Sequence, residues 1–382
     1  MSLQTAVDPA TCPAAFDDAS VALLHELVAV RSESGDEGAA ARLLVAHMAA
    51  AGLAARLDAV GNAVGEVVFG SGRRHLMLLG HIDTVPGGPA VELRDGKLYG
   101  RGAVDAKGPL VTFVRAAARL AQDPSSASLD LRLTVVGAVE EEVSSSKGAR
   151  HVAGLYRPDA CVIGEPSGAD AVTLAYKGRL LVDLERRLPT AHSAGPEPTA
   201  SASAVADWNA VEAWAAAWNE GLQGVFPSLQ TELQGIHGGR EGDEDVCRAV
   251  LGFRLPPALD PHAFEATLRD LWGEPELGRR ELRFRGHEEA WVSERSHDLA
   301  RAFSAAVRQV SGARPRLKHK TGTSDMNVVA PVWRCPILAY GPGDSALDHT
   351  PWEHLEVAEF LQAIDVLEAA IRRWAVLGRV GG

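Results

Sequence analysis

The sequence predicts an α/β protein: a doubly wound, largely parallel sheet interrupted by a compact two-layer α+β insertion. Three observations carry this. Apolar runs of strand length, Leu76–Leu79, Leu129–Val139 and Ala160–Ile163, alternate with helical patterns, the signature of βαβ units. These runs are almost continuously apolar, as strands buried on both faces are. Near Tyr176 the pattern changes to about four strand-like and two helical segments, and from about Ser296 the first pattern resumes. The expected domains are 1–175, 176–290 and 291–382, the first and last forming one folded body.

The elements follow in order. Residues 1–16 read as a loose arm, and Asp17 or Asp18 as the cap of a helix carrying Leu23, Leu24, Leu27 and Val28. A second helix covers Gly38–Ala51 and is ended by Gly52. Leu53–Val60 and Ala63–Phe69 read as strands joined by Gly61-Asn62. After the strand at Leu76–Leu79, ELRDGKLY reads as a hairpin turning at Asp95-Gly96 in type I′ geometry. Gly100, Gly102 and Gly108 give the backbone around Asp105 freedom to bend, and a helix follows over Ala106–Ala121. Another helix is expected over Ser145–Ala153. In the insertion, strands at Leu180–Arg187, Gln230–Gly235, Cys247–Leu255 and Glu281–Arg285 accompany helices at Ser201–Gly221 and His262–Leu271. Pro336–Tyr340 gives one more buried strand, and HTPWEHLEVAEFLQAIDVLEAAIRRWAV a closing helix.

Composition limits the function. The chain has 382 residues, a net charge of −12, a pI near 5.6 and a mean hydropathy of −0.04. That balance, with no Lys/Arg cluster, argues against a nucleic-acid surface. Cys12, Cys161, Cys247 and Cys335 are far apart and form no CxxC pair, so neither a disulfide framework nor a thiolate zinc site is signalled, and a reducing cytoplasm is the expected compartment. The first residues lack a basic segment and a long apolar core, so no signal peptide is expected. No apolar run reaches about 18 residues, so no membrane span is expected.

The chemistry gathers at strand ends. His81 and Asp83 follow the first buried strand, Asp105 precedes a helix, Glu140, Glu141 and Glu142 follow the second strand, Glu165 follows the third, and His349 lies near the end. Open α/β sheets place their sites along that edge. Carboxylates gathered there would repel one another strongly unless something positive sat among them. Two divalent cations would resolve the conflict, and imidazole with carboxylate suits Zn²⁺ or a similar ion.

The ordered motifs GHIDTVP, GRGAVDAKG, VEEEV, IGEPSG, TAHS, GTSD and DHTPWEH resemble those of the M20 metallopeptidase/deacylase family along nearly the whole chain. The resemblance implies a zinc-peptidase catalytic domain and makes the insertion a lid and dimerisation domain, hence a homodimer. It implies two metal ions per subunit, zinc with cobalt or manganese as alternatives. Asp105 then resembles the bridging carboxylate, His81 and Glu165 the other ligands of one ion, and Glu142 and His349 those of the second. Glu141 matches the general base and Asp83 the acid that orients His81. His192 resembles a histidine that reaches the oxyanion from the partner subunit. Where the family usually reads Asp-Glu-Glu, this chain reads Glu140-Glu141-Glu142; a frame shifted by one would make Glu140 the base and Glu141 the ligand.

Arg254 matches an arginine that pairs with a substrate carboxylate, although Gly252 stands where an acidic residue is common. Gly322, Thr323 and Ser324 match a substrate-proximal loop. Lys318, His319 and Lys320 could attract an acidic acyl donor or simply be solvated. Three segments, VEEEVSSSKGAR, KTGTSDMNVVAP and YGPGDSALDHTPWEH, resemble the branch that releases lysine or ornithine from the γ-carboxyl of an amino-group carrier protein's terminal glutamate. That branch implies a small acidic carrier as partner and a place in lysine or arginine biosynthesis. Other members deacylate N-acetylornithine or succinyl-diaminopimelate, or cleave dipeptides. A metal-free amino-acid-binding module would be expected to lose ligands, and here every ligand position holds a competent residue.

Overall fold

The computed structural model describes residues 12–192 and 194–377, with side chains from residue 17 onward. It divides into two compact units. The first runs to Leu174 and takes up Ser293–Lys318 and the chain from Ser324; the second comprises Ala175–Val292 and His319–Thr323.

The first unit begins α1 (Cys12–Ala29), α2 (Gly38–Ala50), β1 (Ala54–Leu57), β2 (Ala63–Val68), β3 (Arg74–His81), β4 (Glu92–Arg94), β5 (Lys97–Tyr99) and α3 (Lys107–Gln122). It continues with β6 (Leu131–Ala138), α4 (Lys147–Leu155), β7 (Ala160–Gly164) and β8 (Ala171–Tyr176), along which the chain enters the second unit. There follow β9 (Gly178–Pro189), α5 (Ala200–Trp218), β10 (Gln230–Glu241), β11 (Glu244–Leu255), α6 (Pro261–Trp272), β12 (Arg279–Glu288) and β13 (Trp291–Val292). The return comprises α7 (Asp298–Ser311), β14 (Arg316–Lys320), α8 (Asp325–Trp333), β15 (Ile337–Ala339), β16 (His354–Glu356) and α9 (Val357–Leu377).

The central sheet is ordered β1-β2-β6-β3-β7-β15-β8. Its middle strands β6, β3, β7 and β15 are mutually parallel, and the β1–β2 hairpin adds an antiparallel edge. Helices α1, α3 and α9 supply Leu23, Leu27, Leu110, Phe113, Phe360, Ile364 and Trp374 to one apolar core. The parallel strands end together, so the residues just beyond β3, β6 and β7 share one edge. Burial pushes the Lys107 ammonium down to about 8. Its Nζ donates to the carbonyls of Leu27 (3.1 Å) and Val30 (2.7 Å), fixing the end of α1 against the start of α3.

In the second unit an antiparallel sheet ordered β10-β11-β9-β12 carries α5 and α6 on one face. Ala204, Val211, Phe264, Leu268 and Trp272 pack there on Leu180, Val182, Leu251 and Phe253.

The hairpin forms as expected, with φ of 52° at Asp95 and 75° at Gly96, the two positive values that a type I′ turn needs. Four expectations change. Residues 1–11 lie outside those described, but the chain from Cys12 is already helical. Asp17 and Asp18 therefore sit within α1 and do not cap it; Pro13 in the first turn, where its missing N–H costs nothing, suits the earlier start. The last helix begins only at Val357, because His354–Glu356 pairs with β5 as a strand. Gly108 supplies close approach rather than a bend: a Cβ there would stand 2.4 Å from the Ala103 carbonyl oxygen and 2.7 Å from Leu355. Cys161, Cys247 and Cys335 are unpaired, and no helix among the described residues is long and apolar enough to cross a membrane.

Candidate metal centre

His81 is the last residue of β3, and burial leaves it 1 % exposed. Its Nδ1 lies 3.0 Å from the Asp83 carbonyl oxygen and 3.4 Å from Asp83 Oδ1. A carbonyl only accepts, so Nδ1 carries the proton and donates, and Nε2 is left to face the site. There it lies 3.3 Å from Asp105 Oδ1 and 3.8 Å from Glu165 Oε1.

The other oxygen of Asp105 faces a second imidazole. Asp105 Oδ2 is 3.1 Å from His349 Nε2, which is also 3.1 Å from Glu142 Oε1. Two donor groups result, His81 with Asp105 and Glu165, and Asp105 with Glu142 and His349; within each, the ligand atoms lie within 4.8 Å of one another. One carboxylate thus presents one oxygen to each group, the arrangement a bridge between two ions requires. Each group combines one imidazole with two carboxylates, a donor set for zinc-class divalent ions.

The electrostatics fit a missing positive charge. Burial drives the Glu141 carboxyl well above the usual carboxylate range, against the pull of His81, and Glu165, Asp325 and Glu142 add to the rise. Asp105 is held far below that range because its hydrogen bonds with His349 and His81 outweigh its burial. The same contacts with Asp105 and Glu142 push His349 up to about 10, and His81, though buried, is held well above its ordinary value by Asp105 and Asp83. In metal-free protein both imidazoles therefore hold the proton that a metal ion would replace.

The sign of the pH dependence follows. In chelator-treated protein, the imidazolium–carboxylate contacts contribute fully below the unfolded histidine value of 6.5 and are lost as pH rises toward about 10. Metal uptake should behave oppositely, strengthening over that window with proton release. Calorimetric metal titration in buffers of different ionisation enthalpy reads this; uptake independent of pH would contradict it.

The acidic run divides in three. Glu142 joins His349; the Glu141 carboxylate lies 4.0 Å from His81 Nε2. Glu140, in a left-handed conformation with φ of 58°, turns to Ser145 (2.7 Å) and Lys147 (3.2 Å). Asp83 sets this division: its carboxylate accepts the Glu141 and Glu142 backbone N–H groups at 3.0 Å and the Ser34 hydroxyl at 2.7 Å.

Two positioning residues escape a reading by motif. Glu353, fully buried, pairs with Arg101 and accepts the N–H groups of Val104 (2.9 Å) and Asp105 (3.2 Å). Arg101 also donates to the His349 carbonyl at 3.2 Å. One ion pair therefore ties the Asp105 loop to the His349 loop. Arg101 lies within GRGAVDAKG and Glu353 within DHTPWEH, but neither motif marks the two as a pair. Glu37 likewise accepts the Glu140 N–H at 3.1 Å.

The remaining candidates are held by contacts of their own. Ser324 caps α8, its hydroxyl accepting the Met326 N–H at 3.2 Å. In the second unit, Arg254 donates to the Thr323 hydroxyl at 2.9 Å, and Gly322 precedes that residue. The Phe226 and His319 rings lie 4.9 Å apart. His192 is exposed on a turn, its Nδ1 accepting the Ala194 N–H at 3.1 Å, so its ring proton resides on Nε2.

A largely parallel α/β sheet with paired imidazole–carboxylate groups at its strand ends is the framework of a metal-dependent amide hydrolase. The chain belongs to peptidase family M20/M25/M40, whose model matches residues 77–373. Members of the family are metal-dependent and typically dinuclear. A LysW-lysine hydrolase of Deinococcus radiodurans is 44% identical over 92% of this chain and 96% of its own. A protein of Thermococcus kodakarensis named putative LysW-lysine/LysW-ornithine hydrolase is 37% identical over 91% of this chain and 90% of its own. An M20 metallo-carboxypeptidase of Sulfolobus solfataricus shares the fold, with a TM-score of 0.77 at 17% identity over 94% of this chain and 99% of that one.

Proposed function

We propose that the chain releases lysine or ornithine from the γ-carboxyl of a carrier protein's C-terminal glutamate. The observation that carries this reading is the 44% identity to a LysW-lysine hydrolase along nearly both whole chains, joined to the complete donor set around Asp105.

His81, Asp105 and Glu165 would hold one zinc ion, and Asp105, Glu142 and His349 the other. Bound there, the ions supply Lewis acidity toward the scissile carbonyl and make water a stronger acid. Glu141, partly buried and 4.0 Å from the His81 imidazole, takes the proton from the attacking water and returns it to the departing amine. Asp83 keeps Glu141 and Glu142 apart through their backbone and fixes the proton of His81. Glu140, engaged with Ser145 and Lys147, is left out of the chemistry.

The second unit serves as lid and dimerisation domain of a homodimer. From it His192 of one subunit donates Nε2–H to the oxyanion in the other, a donor role consistent with its Nδ1 being an acceptor. Arg254, held by Thr323, pairs with a substrate carboxylate. Arg254→Ala should raise KM with little change in kcat, costing about 1.5–3 kcal/mol in kcat/KM; an equal fall in kcat would place Arg254 in the chemical step instead.

The reading is tested by supplying zinc-loaded protein with the carrier bearing γ-linked lysine or ornithine, and in parallel with N-acetylornithine and succinyl-diaminopimelate. Release from the carrier alone supports it and names the amino acid. Release from the small substrates alone would move the chain to the deacylase branch, to which a succinyl-diaminopimelate desuccinylase of Xanthomonas oryzae, 30% identical over 90% of this chain, belongs.

A further inference from the structure

A third imidazole–carboxylate group lies in the second unit, on residues that the amide-hydrolysing site does not use. His262 and Glu265 stand three positions apart on the first turns of α6, so both point from one side of the helix. His287 reaches them from β12. Its Nε2 is 2.6 Å from Glu265 Oε2, and its ring stacks on that of His262 with centroids 4.6 Å apart and planes inclined by 13°. The ligand atoms of all three lie within 4.8 Å of one another.

The backbone places these groups firmly. Asp260 caps α6 by accepting the His262 N–H at 3.0 Å and the Ala263 N–H at 2.8 Å, and Pro261 opens the helix. On β12 the register against β9 shifts between Arg285 and Glu288: Arg285 faces Leu181 and Glu288 faces Arg179. One extra residue is therefore inserted on β12, with Gly286 at φ +69°. Simple alternation would put residue 287 on the side of Arg285, which pairs with Asp183, away from the helices. The bulge instead turns His287 onto the helix-covered side. Bulges of this kind re-aim side chains at sites.

We propose that His262, Glu265 and His287 bind one divalent ion of the zinc class, independently of the catalytic pair, and staple α6 to β12. Two imidazoles and one carboxylate oxygen leave coordination positions for water and favour Zn²⁺, Ni²⁺ or Cu²⁺ over Mg²⁺ or Ca²⁺. Arg269 moderates the site. It occupies the other oxygen of Glu265 at 2.7 and 2.9 Å, leaving Oε2 for the ion while opposing a second positive charge.

The test titrates Zn²⁺ into protein whose catalytic centre is already filled with zinc, reading uptake by calorimetry and unfolding by thermal shift. Wild type should take up one further ion per chain and gain in Tm. His262→Ala and His287→Gln should each weaken that uptake by at least about tenfold, the loss that even an outer-sphere partner causes. Both should remove the gain in Tm and leave hydrolysis by the preloaded enzyme unchanged. Arg269→Gln should tighten it. Unaltered uptake in both histidine variants, or no further uptake by wild type, would overturn the proposal. The Tm before zinc addition separates a lost ligand from a damaged fold, and neither result depends on which amide the enzyme cleaves.

Discussion

Glu141→Gln is expected to reduce amide hydrolysis by about 10²–10⁴-fold, the range a positioned general base contributes, while two metal ions per chain remain bound. Glutamine keeps the shape and burial of the side chain and removes only its capacity to hold and return a proton. Glu142→Gln should act differently, weakening the ion held with His349, since Glu142 Oε1 lies 3.1 Å from that imidazole. Glu140→Gln should leave activity within a few-fold, because its carboxylate faces Ser145 and Lys147. Metal analysis beside steady-state kinetics on the three variants separates these roles. If Glu140→Gln were the inactive variant and Glu141→Gln the one losing metal, the assignments in this run would shift by one residue.

The second large effect is expected at Glu353, a residue behind the metal centre. Glu353→Gln leaves the Arg101 guanidinium, itself largely buried, without a counter-charge, a change that costs about 3–5 kcal/mol when a buried pair is broken. It also weakens acceptance of the Asp105 N–H, so the bridging carboxylate loses its orientation. Denaturant unfolding should show the stability loss, and metal titration a fall of about 10–100-fold in affinity, as when support behind a metal ligand is removed. Stability lost with metal affinity intact would reduce Glu353 to a core ion pair with no bearing on the site.

The site was more legible in the sequence than the structure supporting it. His81, the acidic run and Glu165 directly follow apolar strands, so local pattern placed them at one sheet edge. The same locality exposed the hairpin at Asp95-Gly96. Residues joined across long separations left no such pattern. Arg101 and Glu353 stand 252 positions apart, and although each lies in a quoted motif, nothing local shows that they pair. The three-way division of Glu140, Glu141 and Glu142 depends on a left-handed residue and on two N–H groups reaching Asp83, which spacing cannot resolve between frames. His354–Glu356 reads as helix because its partner strand β5 lies far back in the chain. His287 lies beyond the expected strand Glu281–Arg285, and the bulge that turns it onto the helix-covered side leaves no mark in the local pattern.

Anomalous diffraction from zinc-loaded crystals tests most directly whether Asp105 bridges two metal ions with Glu141 beside them as the base. Two peaks are expected flanking the Asp105 carboxylate, one also contacted by His81 and Glu165, the other by Glu142 and His349, with Glu141 bound to neither. A single peak, or ions ligated by Glu140 and Glu141 in place of Glu142, would contradict this arrangement.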